Sequence, residues 1–305
     1  MYHLIDTLVW MLSKIPMKGL YWLSDLLYIL AFHLIKYRRK VVESNLQSAF
    51  PDKTTAELKR IEREFYHFFA DYVVETIKLR SMSEAEIRKR MEFTGVEDMM
   101  NKVSQQNKKF AFIYLAHYGN WEWVASLALH IHDFNPLATA AQIYHPLRSK
   151  AFDRLFLNMR SQFGGVNIAM KETLRYVIHA RHKEHPTIIG FIADQGPKWN
   201  SIHHWTDFLH HNTPVFIGTE QLGKRVDALI YYGHMERISR GHYCCHISLL
   251  TDNIKNYPDY EVTDQYFALL EKSIQAHPAI WLWTHKRWKR TYEEYLKRKS
   301  LNTKS

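Results

Sequence analysis

Residues 110–123, FAFIYLAHYGNWEW, constrain the chain more than any other stretch. They begin with Phe110, Ala111, Phe112, Ile113, Tyr114, Leu115 and Ala116, an apolar run with no turn former in it. Such a run reads as a strand covered on both faces, the kind found in parallel sheets. His117 follows, then a Tyr118-Gly119 turn, then Asn120 placed to cap an apolar helix that opens with Trp121, Glu122 and Trp123. An imidazole is thus delivered at the tip of a strand, with a carboxylate five residues further on. In α/β sheets, ligands bind beyond the carboxyl ends of the strands.

The His-x-x-x-x-Glu spacing has a chemical logic. A neutral imidazole with a pKa of about 6.5 accepts a proton from a hydroxyl at neutral pH. A carboxylate on its other nitrogen would fix the tautomer and stabilise the imidazolium that forms. On one continuous helix the two residues would stand about 140° apart at 3.6 residues per turn, so they meet only if a turn intervenes. Gly119 supplies that turn. The competing reading is a capping glutamate beside a surface histidine.

Composition sets the outer bounds. With 305 residues, 46% hydrophobic and 24% charged, the chain can bury a large core. No Pro/Gly/Ser-rich linker, repeat or low-complexity tract divides it, so one domain over residues 41–305 with an appendage over 1–40 is expected. The formal net charge of +10 implies an anionic partner: nucleic acid, a membrane surface or a phosphorylated substrate. The two cysteines, adjacent at Cys244 and Cys245, exclude a disulfide framework and a CxxC metal knuckle, and suit a reducing compartment.

The appendage differs from the rest. Residues 19–35 are apolar apart from Asp25 and His33, and carry Tyr21, Trp22 and Tyr28, residues suited to the headgroup region. Lys36, Arg38, Arg39 and Lys40 follow at once, matching an anionic leaflet. The order, apolar before basic, argues against a cleaved signal peptide. A helical membrane anchor is expected, spanning or lying in the interface; a buried core helix is the alternative.

Further along, Thr54 and Glu57 form a capping box ahead of a helix running to about residue 79. A short helix over 83–90 and a strand over 91–94 follow. Beyond the His117 turn come a helix (121–131), a strand (137–143) and a helix (147–163) that carries Arg154 and Arg160 and is closed by Gly164-Gly165. After another helix (171–181), residues 187–193 form a second apolar strand, ending in Asp194-Gln195-Gly196-Pro197. This repeats the His117 geometry, a polar group at a strand tip, although an acid there also suits a turn. His203, His204, His210 and His211 cluster without a Cys or Glu at ligand spacing, which reads as solvated loop rather than metal site. A small helix (215–224), an antiparallel pair (228–232 with 244–250) and a helix (261–276) precede a final helix expected from Pro278. That last segment mixes Trp281, Trp283 and Trp288 with Lys286, Arg287, Lys289 and Arg290, a mixture suited to nucleic acid or to lipid phosphates. No nucleic-acid module signature accompanies it, and the apolar N-terminus favours lipid. The tail beyond Tyr295 reads as a frayed charged end.

His117 to Glu122 resembles the HX4(D/E) motif of glycerolipid acyltransferases, and more closely that of the late acyltransferases of lipid A biosynthesis. Three further stretches fit that family in order: Glu43-Ser44-Asn45-Leu46 through Phe50-Pro51, Ala193-Asp194-Gln195, and residues 278–289 with His285-Lys286-Arg287-Trp288. The likeness covers about residues 40–290. One departure is Leu209, where the family usually has glycine after the aromatic residue. The resemblance implies an α/β fold of the glycerophosphate-acyltransferase type: a mixed, mostly parallel sheet flanked by helices, with an N-terminal helical membrane anchor. It implies O-acyl transfer from an acyl-carrier-protein thioester to a hydroxyl of a phosphorylated glycolipid, a lipid A precursor, at the cytoplasmic face of a bacterial inner membrane. His117 would be the general base and Glu122 its orienting carboxylate, with Arg160, Asp194, Gln195 and Arg287 binding substrate. Neither metal nor cofactor is implied, nucleic acid is not a partner, and no GxSxG elbow is present for a covalent acyl-enzyme. A lysophospholipid or aminolipid acyltransferase would use the same chemistry. A non-catalytic lipid-binding scaffold is the other class, opposed by the presence of both His117 and Glu122. Acyl chain length and the acceptor hydroxyl are not legible from the sequence.

Overall fold

A computed structural model describes residues 2–302. The chain opens with α1 (Tyr2–Ser13) and α2 (Met17–Tyr28), the latter running on as a π-helical turn over Ile29–Leu34. Then come α3 (Arg39–Ala49), α4 (Thr55–Leu79), α5 (Glu84–Arg90), β1 (Met91–Thr94), α6 (Val96–Gln105) and β2 (Phe110–Leu115). A 3-10 turn, Trp123–Ser126, leads into α7 (Leu127–Phe134), followed by β3 (Thr139–Tyr144), α8 (Lys150–Ser161), β4 (Val166–Ala169), α9 (Thr173–Ala180) and β5 (Thr187–Ile192). The last third holds the hairpin β6 (His204–Phe208) and β7 (His211–Val215), α10 (Gly218–Val226), β8 (Leu229–Ser239), β9 (His242–Thr251), α11 (Glu261–Ala276) and α12 (Tyr292–Asn302).

Seven strands form one sheet in the order β1-β9-β8-β2-β5-β3-β4, parallel throughout except for the β8–β9 hairpin. The expected α/β class and mostly parallel sheet are therefore present. All six residues of β2 are buried, because β5 and β8 flank it and helices cover both faces. Gly223 lets α10 close on the sheet: a Cβ there would lie 2.9 Å from Ile230 and 3.0 Å from Ile254.

The capping box is formed in full: the Thr54 hydroxyl accepts from the Glu57 N–H, and Glu57 accepts from the Thr54 N–H. Such a cap contributes about 1 kcal/mol to its helix. Three readings are corrected. The antiparallel pair is one long hairpin turning at Arg240-Gly241, and Gly233 lies inside β8, where a side chain would strike Leu115. No long helix starts at Pro278: a single 3-10 turn, Pro278–Ile280, gives way to irregular chain, because residues 281–283 are drawn alongside the His117 loop. The tail beyond Tyr295 is helical up to Asn302, within α12, and its last three residues lie outside the described ones.

The N-terminal segment is not a spanning anchor. Among the described residues no helix is long and apolar enough to cross a membrane. Instead α1 and α2 lie on the body of the protein. Leu20, Met17 and Phe32 join the main core, Ser24 donates to Asp71 at 2.6 Å, and Arg80 holds Asp6 at 2.7 Å. Their other face is bare: Leu4 is 65% exposed, Trp22 82%, Leu26 60% and Leu34 70%.

Candidate active site

The registration of two parallel strands creates the site. Leu115 of β2 pairs with Ile192 of β5, and Ala193 N donates to Leu115 O at 3.1 Å. Two residues beyond each partner stand His117 and Asp194. His117 Nδ1 lies 2.7 Å from Asp194 Oδ1, while Trp281 Nε1 donates to Asp194 Oδ2 at 2.9 Å. Asp194 is 2% exposed. Burial alone would raise its carboxyl; the His117 imidazole and the hydrogen bonds from His117 and Trp281 outweigh that and hold it below the ordinary carboxylate range. With Nδ1 bound to a carboxylate, the neutral imidazole carries its proton there and leaves Nε2 as the acceptor.

The carboxylate on His117 is thus that of Asp194, not Glu122. Both Glu122 oxygens are taken by Arg160 of α8, with Nε at 2.7 Å and the second guanidinium nitrogen at 2.6 Å. This is the bidentate fork that arginine forms with carboxylates. Glu122 is 4% exposed, so the pair ties the motif loop to α8 from inside. Arg160 faces Glu122, and the placement expected for it toward the site holds only through that partner.

The loop itself is fastened at every turn. Gly119 takes φ +64°, and a Cβ there would lie 2.3 Å from Met235, so both the backbone angle and the close approach require glycine. Gly119 N donates to Ile280 O and Leu282 N to His117 O, which lays residues 280–282 beside the loop. Asn120 caps the 3-10 turn, its Oδ1 accepting from Trp123 N at 3.1 Å, and its amide donates to Glu75 at 2.8 Å. Glu75, wholly buried on α4, also accepts from Tyr243 and Tyr21. Burial pushes its carboxyl up, and donors including Tyr243 and Asn120 oppose the rise. The sequence offered no signal for this residue, one charged position among several on a long helix. The tilted contact of Tyr72 with Trp121 (4.1 Å) and the edge contact of Trp121 with His117 (5.2 Å) complete the wall.

The remaining expected residues fall as follows. The Gln195 amide lies 3.3 and 3.4 Å from the two ring nitrogens of His117, within the site. Arg287 is 2% exposed and donates to Pro214 O at 2.9 Å, with its ring neighbour Phe267 at 5.9 Å. Among the described residues no carboxylate forms an ion pair with it, and its Nε and one terminal nitrogen have no hydrogen-bond partner. It lies beneath the turn after Asp194, where a Cβ on Gly196 would come within 3.0 Å of its guanidinium. Burial pulls its pKa down to about 10, which leaves it charged at neutral pH. Asn45 donates to Trp283 O at 2.8 Å and His285 O at 2.9 Å, so the N-terminal motif clamps the C-terminal one. Burial lowers the His285 imidazole to about 4, keeping it neutral. Of the four clustered histidines, His203 and His210 are exposed in irregular chain and in the hairpin turn, as expected, whereas His204 and His211 lie on β6 and β7: His204 pairs with Asp264 at 2.8 Å and His211 stacks on Trp288.

An imidazole backed by an ionised, buried carboxylate, with the Gln195 amide beside its second nitrogen, thus stands at the strand tips of an α/β scaffold. The chain from residue 2 to 290 matches the bacterial lipid A biosynthesis acyltransferases, and it belongs to that family. It is similar to the lipid A biosynthesis palmitoleoyltransferase of Escherichia coli (strain K12) and to the lipid A biosynthesis acyltransferase of Shigella flexneri. Each is 21% identical over 283 residues, covering 92% of this chain and 88% of the relative. The protein is accordingly an acyltransferase.

Proposed function

We propose that the protein transfers a fatty acyl group from an acyl-carrier-protein thioester to a hydroxyl of a phosphorylated glycolipid, a lipid A precursor, with His117 as general base. The observation that carries this reading is the 2.7 Å contact of His117 with an Asp194 carboxylate held on its other side by Trp281. His117 Nε2 takes the acceptor's hydroxyl proton as the oxygen attacks the thioester carbonyl carbon. The tetrahedral intermediate collapses with cleavage of the C–S bond, and the imidazolium returns its proton to the departing sulfur. Asp194 stabilises that imidazolium, and Gln195, whose amide borders the ring, contacts the reacting groups. The Glu122–Arg160 pair keeps the loop that carries His117 in place. Arg287 supports the turn carrying Asp194 from below rather than touching the acceptor, in keeping with its burial.

The bare apolar face of α1 and α2 suits a protein lying on the membrane interface. Trp22, Leu26, Leu34 and Ile35 would enter the acyl boundary, with Lys36, Arg38 and Lys40 at the headgroups. On this reading the enzyme works at the cytoplasmic face of a bacterial inner membrane, and the exposed apolar face is the support for interfacial binding. The test is acyl transfer in detergent micelles from an acyl-carrier-protein thioester to a phosphorylated diglucosamine lipid. Wild type should form the ester and His117→Ala should lose about 10²–10⁴-fold in rate. Equal rates for the two proteins would refute the general-base reading, and acylation only of a lysophospholipid would refute the acceptor.

A further inference from the structure

Two basic segments nearly 250 residues apart in sequence form one groove. Lys40, near the start of α3, faces Lys286, Lys289 and Arg290 across a depression of about 750 Å³ whose walls also include Trp288 and His211. The Asn45 clamp on residues 283 and 285 holds the two sides together. This volume is in the range of small-molecule sites.

Among the described residues the groove's cations form no ion pairs. Among the described residues no carboxylate lies within 4.0 Å of the charged nitrogens of Lys40, Lys286, Lys289 or Arg290, although Glu293 is on the rim. The neighbouring Arg39 shows the contrast: it is engaged by Glu62 at 2.8 Å and Glu43 at 3.4 Å. Among the described residues Arg290 Nε is buried and has no hydrogen-bond partner, and the guanidinium lies 5.7 Å from the Trp199 ring. Lys289, an exposed residue whose ammonium is only partly desolvated, has its pKa lowered by that desolvation and by the positive charges of Arg290, Arg38, Lys286 and Arg287. Like charges gathered this closely repel one another, and a bound anion relieves them.

Position narrows the ligand. Trp288 on the groove wall is 6.1 Å from Trp281, whose indole binds the carboxylate of the catalytic pair. The groove therefore adjoins the site through two aromatic rings. On its other side, Lys40 follows the exposed apolar residues Leu34, Ile35 and Tyr37. A ligand here meets cations on a chain segment that continues into exposed apolar residues, on the far side of the Trp288–Trp281 pair from Asp194.

We infer that this groove is the binding subsite for the phosphate-bearing sugar headgroup of an anionic glycolipid, whose acyl chains lie along the neighbouring apolar face. The inference rests on the acceptor class proposed above, and it assigns the recognition of phosphate to Lys40, Lys286, Lys289 and Arg290 instead of to Arg287. An acidic carrier-protein surface is the competing occupant, but it would not require apolar surface beside the cations.

The experiment is equilibrium binding of a bis-phosphorylated acylated diglucosamine, and of its dephosphorylated counterpart, to the full chain in detergent micelles. The variants are Lys286→Gln/Lys289→Gln and, separately, Lys40→Gln/Lys289→Gln; all three lysines are exposed, so folding is retained. Each pair should weaken binding of the phosphorylated lipid at least about ten-fold and leave the dephosphorylated lipid within about two-fold, as expected for charge-assisted contacts. Equal weakening for both lipids, or no weakening, overturns the assignment. So does a rise in KM confined to the carrier-protein thioester, which would give the groove to the donor. Binding that depends on the groove in an enzyme that does not acylate this lipid would keep the subsite and discard the acceptor proposed above.

Discussion

Trp281 donates its indole N–H to the one oxygen of Asp194 that His117 leaves free, at 2.9 Å. The carboxylate is thereby fixed from both sides, and its orientation no longer depends on substrate. Asp194→Asn should lower kcat by about 10²–10⁴-fold, because an amide at Nδ1 favours the wrong imidazole tautomer. Trp281→Phe keeps the ring and removes the N–H, so a smaller loss of about ten-fold is expected for one hydrogen bond to a charged group. Steady-state rates of both variants against wild type decide this; an Asp194→Asn enzyme with wild-type kcat would remove Asp194 from the mechanism.

Glu122→Gln should behave differently. It leaves the Arg160 guanidinium half-buried without its anion, which costs roughly 3 kcal/mol of folding stability. Urea unfolding should record that loss, and Glu122→Gln/Arg160→Met should recover part of it. If Glu122→Gln kept full stability and lost as much kcat as Asp194→Asn, Glu122 would belong to the chemistry and not to the scaffold.

The apolar face of the first two helices gives a third expectation. Trp22→Glu/Leu26→Glu changes two exposed residues, so thermal stability should stay within about 1 kcal/mol. Flotation with anionic lipid vesicles should fall at least ten-fold, since burying each such side chain in the interface is worth about 1.5–3 kcal/mol. Unchanged flotation would rule out this face as the docking surface.

Arg287→Lys addresses the buried guanidinium. A lysine can serve Pro214 O but cannot fill the planar site under Gly196, so a stability loss of about 1–3 kcal/mol is expected, with KM for a phosphorylated acceptor unchanged. A raised KM at wild-type stability would return Arg287 to acceptor binding.

His285 makes stability depend on pH. Its folded pKa of about 4 lies below the ordinary histidine value, so between pH 6.5 and 4 the unfolded chain binds a proton that the folded chain refuses. Stability is therefore full above pH 6.5 and declines as the pH falls toward 4, by up to about 3 kcal/mol from this residue. Comparing urea midpoints at pH 7 and 4.5 for wild type and His285→Gln tests it; the variant should show the shallower decline. Identical declines would mean that His285 is not held neutral by the fold.

Much of this was legible in the chain itself. The apolar run of β2 ending in His117, the matching run of β5 ending in Asp194, and the capping box of α4 are local patterns, set by burial periodicity and turn chemistry. These determined the α/β class and the strand tips at which polar groups stand. Sequence also singled out Glu122, Arg160 and Asn45, but without the partners they have in the fold.

Tertiary structure decided the pairings. His117 and Asp194 meet because Leu115 and Ile192 are in register across neighbouring parallel strands, and strand order and register are long-range properties that no local spacing encodes. The five-residue spacing suggested Glu122 as the partner of His117, yet the turn at Gly119 points Glu122 to α8, where Arg160 has the matching fork. Arg287 was expected to bind substrate and nothing in the sequence marked Glu75; both are buried, since only the packed fold determines which face of a segment meets the core. The same holds at the N-terminus. The hydropathy of residues 19–35 is an average over the segment, whereas the fold puts Leu20 and Phe32 inside and leaves Trp22, Leu26 and Leu34 outside.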